Sequence, residues 1–140
     1  MAPDSAGVPR GVHVLTAIHG IGSLVCAVLS AGSAVSEGFR RSLARTGGSR
    51  LMVGIFGDGT WAFLLFISVV LAVLSWGSWN LRRYTWPLTL SVYAIGVLGS
   101  LWQVSVGIEA GWVSAVINAG VVVYAATPDV RRAYGWSDAG

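Results

Sequence analysis

The chain reads as an all-α protein, a four-helix transmembrane bundle with an Arg-rich, partly amphipathic connection between helices 1 and 2. Three observations predict that class. Charged residues make up 11% of the 140 residues, where about 25% is usual for a soluble domain. Apolar residues are 54% of the chain and gather in four long runs that contain no Asp, Glu, Lys or Arg, with a mean hydropathy of +0.69. Six of the seven tryptophans stand at or near the ends of those runs. A soluble domain of this size would have too little polar surface to cover itself. Bilayer hydrocarbon is the solvent that fits, and residues 1–140 form one integral membrane domain.

The first run, 12–35, reads VHVLTAIHGIGSLVCAVLSAGSAV; as a helix it is roughly 36 Å long, enough to cross with some tilt. Ala31, Gly32, Ser33 and Ala34 resemble a signal-peptide cleavage site. The apolar core exceeds the usual stretch of about 7–15 residues, however, and only Arg10 precedes it, so the run is expected to be retained. The second run, 61–79, the third, 88–106, and the fourth, 110–126, follow the same logic. Strands of a lipid-facing barrel would alternate polar and apolar residues, and about eight would be needed. A helix instead pairs its own backbone groups inside lipid.

Between the second and third runs lies WGSWNLRRYTWP, residues 76–87. Indole rings settle at the headgroup level, and Arg82 and Arg83 can reach lipid phosphates. Pro87 suits a first helical turn, where its missing N–H costs nothing. Trp61, Trp102 and Trp112 mark further boundaries. The connection 36–60, SEGFRRSLARTGGSRLMVGIFGDGT, is expected to be helical over 36–46, with Phe39 and Leu43 on one face, Arg41 and Arg45 opposite, and Gly47–Gly48 as the break. LMVGIF is too short to span and is expected to lie in the interface, or to dip in and return. Residues 127–140 form a tail.

The net charge of +3 comes from nine Arg and no Lys against six acids. These arginines fall at the ends of apolar runs, so the expected partners are membrane lipids with anionic headgroups, not nucleic acid. The candidate headgroup contacts are Arg40, Arg41, Arg45, Arg82, Arg83, Arg131 and Arg132. Four spans put both termini and the 80–85 turn on one side with Arg10, Arg82, Arg83, Arg131 and Arg132. The opposite side has Arg40, Arg41, Arg45 and Arg50. The positive-inside rule then places both termini in the cytoplasm of a multi-pass cell-membrane protein.

Three segments carry a resemblance. PRGVHVLTAIHGIGSL (9–24), WGSWNLRRYTW (76–86) and INAGVVVYAATPDVRRAYG (117–135) resemble the opening, the second turn and the ending of a family of four-span prokaryotic membrane proteins of the domain-of-unknown-function type. The resemblance covers about half the chain. It departs where Tyr134 stands for the more usual Phe and Ala125–Ala126 for a bulkier pair. It implies a fold and topology and no activity. The Lys-free, Gly-rich composition would suit a halophilic archaeon.

Within the runs, the polar candidates are His19, Gln103 and Asn118. Intramembrane ionisable groups are functional candidates, and an amide or neutral imidazole also serves as a hydrogen bond between helices. His13 and His19 lie about 120° apart on a helix and cannot share one metal or haem, so no cofactor is expected. Cys26 is about 10 Å along the axis from His19, too far for a catalytic pair, and reads as packing. Glu109 is expected to stay hydrated or to cap the fourth helix; a proton-coupled exporter would need a carboxylate deeper in a span. Rows of small residues, Ser23–Ala27–Ala31, Gly96–Ser100 and Ala115–Ala119, let helices approach closely, within the bundle or in a homo-oligomer. With no nucleophile beside a base, no metal cluster and no phosphate loop, the expected role is non-catalytic, through helix packing, lipid contact or partner binding. The alternative is a small transporter or channel using a polar path near His19, Gln103 and Asn118.

Overall fold

The computed structural model describes residues 10–136. These fold as α1 (Arg10–Val35), α2 (Glu37–Arg45), α3 (Gly47–Phe56), a 3-10 turn (Gly57–Gly59), α4 (Thr60–Trp79), α5 (Thr85–Ser105), α6 (Ala110–Ala125) and α7 (Pro128–Ala133). No strand occurs among the described residues. Three stretches are long and apolar enough to cross a membrane: Arg10–Val35, Ser49–Trp79 and Thr85–Ser105. The helix at the expected fourth run is shorter, with 16 residues, roughly 24 Å against a hydrocarbon core of about 30 Å.

What joins α1 to α4 is a ladder of hydroxyl groups. The Ser75 hydroxyl donates to the Thr16 carbonyl at 3.0 Å. Ser23 and Ser68 each donate to the other's carbonyl, both at 2.9 Å. Ser30 donates to the Trp61 carbonyl at 2.7 Å. The rungs recur every seven residues on both helices, close to two full turns, so one face of each keeps meeting the other in antiparallel register. The expected row Ser23–Ala27–Ala31, at four-residue spacing, is not the contact line, because Ala31 is exposed. Seven-residue spacing tracks an antiparallel neighbour better than four, which drifts around the helix.

A second antiparallel pair, α5 and α6, closes on glycine. A Cβ on Gly111 would come within 2.7 Å of the Ser100 carbonyl oxygen, and one on Gly96 would strike the Asn118 amide. Only hydrogen at these positions lets the backbones approach so near. The two pairs meet through Val12 and Leu15 of α1, Tyr93 of α5, and Val121 and Ala125 of α6, with Val130 and Tyr134 closing the end.

Polarity is inverted relative to a water-soluble protein. The buried set includes His19, Ser30, Ser33, Thr60, Ser68, Ser78, Thr85, Thr89 and Ser100, while Ile21, Leu24, Phe66, Ile95, Leu98, Val116 and Val123 lie outward. Small polar side chains inside and branched aliphatics outside are what helices need when their surroundings are hydrocarbon.

Helix ends are closed by the same backbone device three times. After α5, Gly107 at φ 83° lets its N–H reach the Val104 carbonyl and that of Ile108 reach Gln103, the Schellman arrangement. Gly135 repeats it after α7. After α4 the left-handed position is held by Leu81 at φ 51°, with Leu81 N–H on Ser78 and Arg82 N–H on Gly77. A β-carbon there costs about 1–2 kcal/mol; Leu81 is retained in a contact with the buried core that Gly would lack.

The connection expected at 36–60 is helical nearly throughout. The Ser36 hydroxyl caps α2 by accepting the Phe39 N–H, and the Phe39 ring seats on Gly32 of α1. LMVGIF lies within α3, and Phe56 stacks on Phe63 of α4 with ring centroids 4.2 Å apart. Gly47 lies against Ala110 and Ile108, so α2 and α3 cover the end of the molecule where α6 begins.

Replacing Ser68 with Ala removes a reciprocal rung and should lower stability in detergent by about 0.6–2 kcal/mol. The exposed Ser91 bonds only to its own helix at Pro87, and Ser91→Ala should change stability much less. Equal melting shifts for the two variants would contradict the ladder.

Candidate functional site

The end of the molecule where α1 and α5 begin and α4 and α6 finish carries most of the site's chemistry. Trp86, in the first turn of α5, is half-buried, and its indole N–H donates to the Ala125 carbonyl at 2.8 Å. That carbonyl belongs to the last turn of α6, where helices leave carbonyls without partners. Trp136 packs its ring beside that of Trp86, with centroids 5.3 Å apart, and donates its N–H to the Arg83 carbonyl at 3.1 Å.

Arginines lie over these rings. The Arg83 guanidinium is 4.7 Å from the Trp136 centroid, Arg131 is 5.9 Å from Trp86, and Arg82 is 5.5 Å from Trp76. Each such contact contributes about 0.5–1 kcal/mol at an exposed site. For Arg82 and Arg83, stacking fixes one face of the guanidinium and leaves its N–H edge available to an anion. Arg132 pairs with Asp129 at 2.5 Å. On α1, His13 meets Trp79 edge-on at 6.1 Å. Burial holds the Tyr134 phenol above the usual tyrosine range.

Of the expected headgroup contacts, the structure thus brings Arg82, Arg83, Arg131 and Arg132 to one end. Arg40, Arg41 and Arg45 lie at the other. Arg40 is engaged with Asp58 at 3.0 Å and Arg41 with Glu37 at 2.6 Å. The Arg41 hydrogen bond and charge hold the Glu37 carboxyl below the usual glutamate range. Arg45 is exposed. Trp86 does not leave its N–H to water or headgroups, because it is used on α6. Trp136 belongs to the plate although no apolar run points to it. No local spacing in the sequence signals it, because its partners Arg83 and Trp86 are distant along the chain and meet it only once α7 turns back.

The three intramembrane candidates do not share one neighbour. His19 is fully buried, with its ring 5.6 Å from that of Tyr93. Asn118 donates to the Ser114 carbonyl of its own helix at 2.8 Å and covers Gly96 of α5. Gln103 packs on Gly111, seven residues or about 10 Å further along α5 than Gly96. Neither nitrogen of His19 has a hydrogen-bond partner among the described residues, and the same is true of Thr85 Oγ1, Thr89 Oγ1 and Gln103 Oε1. Thr85, Thr89 and Tyr93 form one stripe on α5 at four-residue spacing, ending at the His19 ring. Glu109 stands before α6, exposed, and makes no side-chain cap. Cys26 is a half-buried free thiol. Among the described residues no three His, Cys, Asp or Glu side chains are grouped to hold a metal.

No protein-family model, no curated protein and no solved structure matches the chain.

Trp86→Phe keeps the ring and deletes the donor to Ala125, which should cost about 1–3 kcal/mol of stability. Trp79→Phe, at a ring that is mostly exposed, is the matched control and should melt close to the unsubstituted protein. Thermal unfolding followed by circular dichroism compares the two.

Proposed function

We propose that the protein is a multi-pass integral membrane protein in which α1, α4, α5 and α6 each cross the bilayer as a four-helix bundle. Both termini face the cytoplasm, and the role is non-catalytic, carried by helix packing and by contact with lipid or a partner. One observation carries the reading: hydroxyls, imidazole and glycine lie inward, aliphatic side chains outward, and a plate of Arg and Trp finishes one end. Such a plate suits the cytoplasmic leaflet, where anionic lipid attracts juxtamembrane arginine by about 1 kcal/mol per residue. The shortness of α6 is compatible with crossing, because it lies against α5 at Gly96 and Gly111 and Trp112 marks its outer end, while bilayers thin locally around short spans. This reading agrees with membership of the four-span prokaryotic family that the sequence resembles.

Topology reporters test it. Reporters at the N- and C-termini should both be active on the cytoplasmic side, and the protein should stay in the membrane pellet after alkaline carbonate. Reporters on opposite sides would mean an odd number of crossings, and release by carbonate would remove the membrane reading altogether.

A second reading, passage of a proton or small polar species, rests on the unpartnered stripe of Thr85, Thr89 and His19. On this reading, protein reconstituted in liposomes shows a pH-gradient-driven flux that His19→Ala reduces at least tenfold. Flux equal to that of protein-free liposomes would dismiss it.

A further inference from the structure

On the flank between α1 and α4, next to the plate, runs an open groove of about 370 Å3. Its walls and floor come from Thr16, Gly20, Ala72, Ser75, Trp76 and Trp79. The trough exists because Gly20 and Ala72 have almost no side chain, while the two indoles rise beside it. Its hydroxyls, that of Ser23 included, are already committed: Thr16 to the Val12 carbonyl at 2.9 Å, Ser23 to the Ser68 carbonyl at 2.9 Å and Ser75 to the Thr16 carbonyl at 3.0 Å. With those hydroxyls engaged, most of the surface the groove presents is carbon. Its hydroxyls offer a small polar ligand no uncommitted donor, which leaves only the indole N–H groups of Trp76 and Trp79 beside the trough; a hydrocarbon chain finds contact along its length.

The mouth has the opposite character. Arg82 lies over Trp76, His13 touches Trp79, and Arg10 stands one turn before His13 on α1. Arg10 and Arg82 are exposed, and neither makes an ion pair among the described residues. The carboxylates of Glu37, Asp58 and Glu109 are at the far end, and Asp129 is taken by Arg132. A cationic mouth above an apolar trough, opening sideways among exposed residues such as Val69 and Val73, matches one ligand chemistry. The phosphate requires the arginine edges, and the acyl chain requires the groove.

We propose that this groove holds one anionic diacyl phospholipid, its phosphate at Arg82 and Arg10 and one acyl chain laid between α1 and α4 against Gly20 and Ala72. The inference rests on the reading of the chain as an integral membrane protein and goes beyond general lipid contact to a single retained molecule. Trp76 and Trp79 clamp the glycerol region. Because Arg82 is held over Trp76 before the lipid arrives, little side-chain freedom is lost on binding.

Native mass spectrometry of the full chain in detergent tests it, with phosphatidylglycerol and phosphatidylcholine of the same acyl chains added in equal amounts. One phosphatidylglycerol should be retained per chain, in preference to phosphatidylcholine. Arg82→Gln should weaken retention about fivefold, the effect of one arginine near the surface. Arg50→Gln, at an exposed arginine of the far end, should leave it unchanged. Ala72→Phe fills the trough and should abolish retention; if it fails to fold by circular dichroism, Ala72→Leu takes its place. Inorganic phosphate should not compete. Equal retention of both lipids, no effect of Arg82→Gln, competition by phosphate, or a dimer that occupies the groove without lipid would each overturn the proposal. A chain that resists carbonate yet retains no lipid sinks this inference alone; a chain that carbonate releases sinks the membrane reading as well.

Discussion

Helices whose surroundings are as apolar as their own side chains gain nothing from leaving solvent, so something other than the hydrophobic effect must hold α1 to α4. The hydroxyl ladder supplies it. Four hydroxyl-to-carbonyl bonds at three levels fix which faces meet, in which direction and at which register. Each bond is modest, and a one-residue slip would break all of them together. The remaining architecture follows from that fixed pair. His19 and Leu15 are turned toward α5 because Thr16 and Ser23 are turned toward α4. The groove beside the ladder exists because the same face that carries hydroxyls also carries Gly20 and Ala72.

The second pair is built on a different economy of atoms. Gly96 and Gly111 let α5 and α6 approach until an amide or a backbone carbonyl occupies the place of a β-carbon. Asn118 is then both a polar residue within a helix and the filler of a glycine notch. Its amide hydrogen goes to its own helix, which leaves the inter-helix contact mainly to van der Waals packing. The interior thus combines one hydrogen-bonded interface with one that is close-packed, and the buried His19–Tyr93 contact lies where the two pairs join.

At the plate, tryptophan does two jobs that the sequence does not separate. Trp76 and Trp79 are mostly exposed and act as boundary rings with cationic neighbours. Trp86 and Trp136 are structural, because their N–H groups satisfy carbonyls at Ala125 and Arg83. Arginine is divided in a similar way between the two ends. Arg40 and Arg41 are neutralised by Asp58 and Glu37, while Arg82 and Arg83 are stacked on rings with their charge still available. Stacking preserves a guanidinium for an outside anion, and pairing consumes it, so Arg82 and Arg83 offer what Arg40, Arg41 and Arg132 do not.

Composition and spacing by themselves determined the helical class, the apolar stretches and the aromatic ends, since these depend on local chemistry and on the cost of exposing backbone to hydrocarbon. The helical stretch over 36–46 was equally legible, but the break expected at Gly47–Gly48 falls at Thr46, whose extended backbone separates the helices while both glycines enter the first turn of α3. Only the tertiary structure decided that serines seven apart, and not small residues four apart, form the α1–α4 seam, because both spacings put a face on a single helix and only the partner chooses between them. The same holds for Trp136, which needs the return of α7 to reach Arg83, and for Leu81, whose left-handed backbone is tolerated because its side chain reaches the core. His19, Gln103 and Asn118 look alike in sequence as polar residues in apolar runs. Their separation to different neighbours comes from helix rotation, a quantity fixed by packing between helices and absent from any one of them.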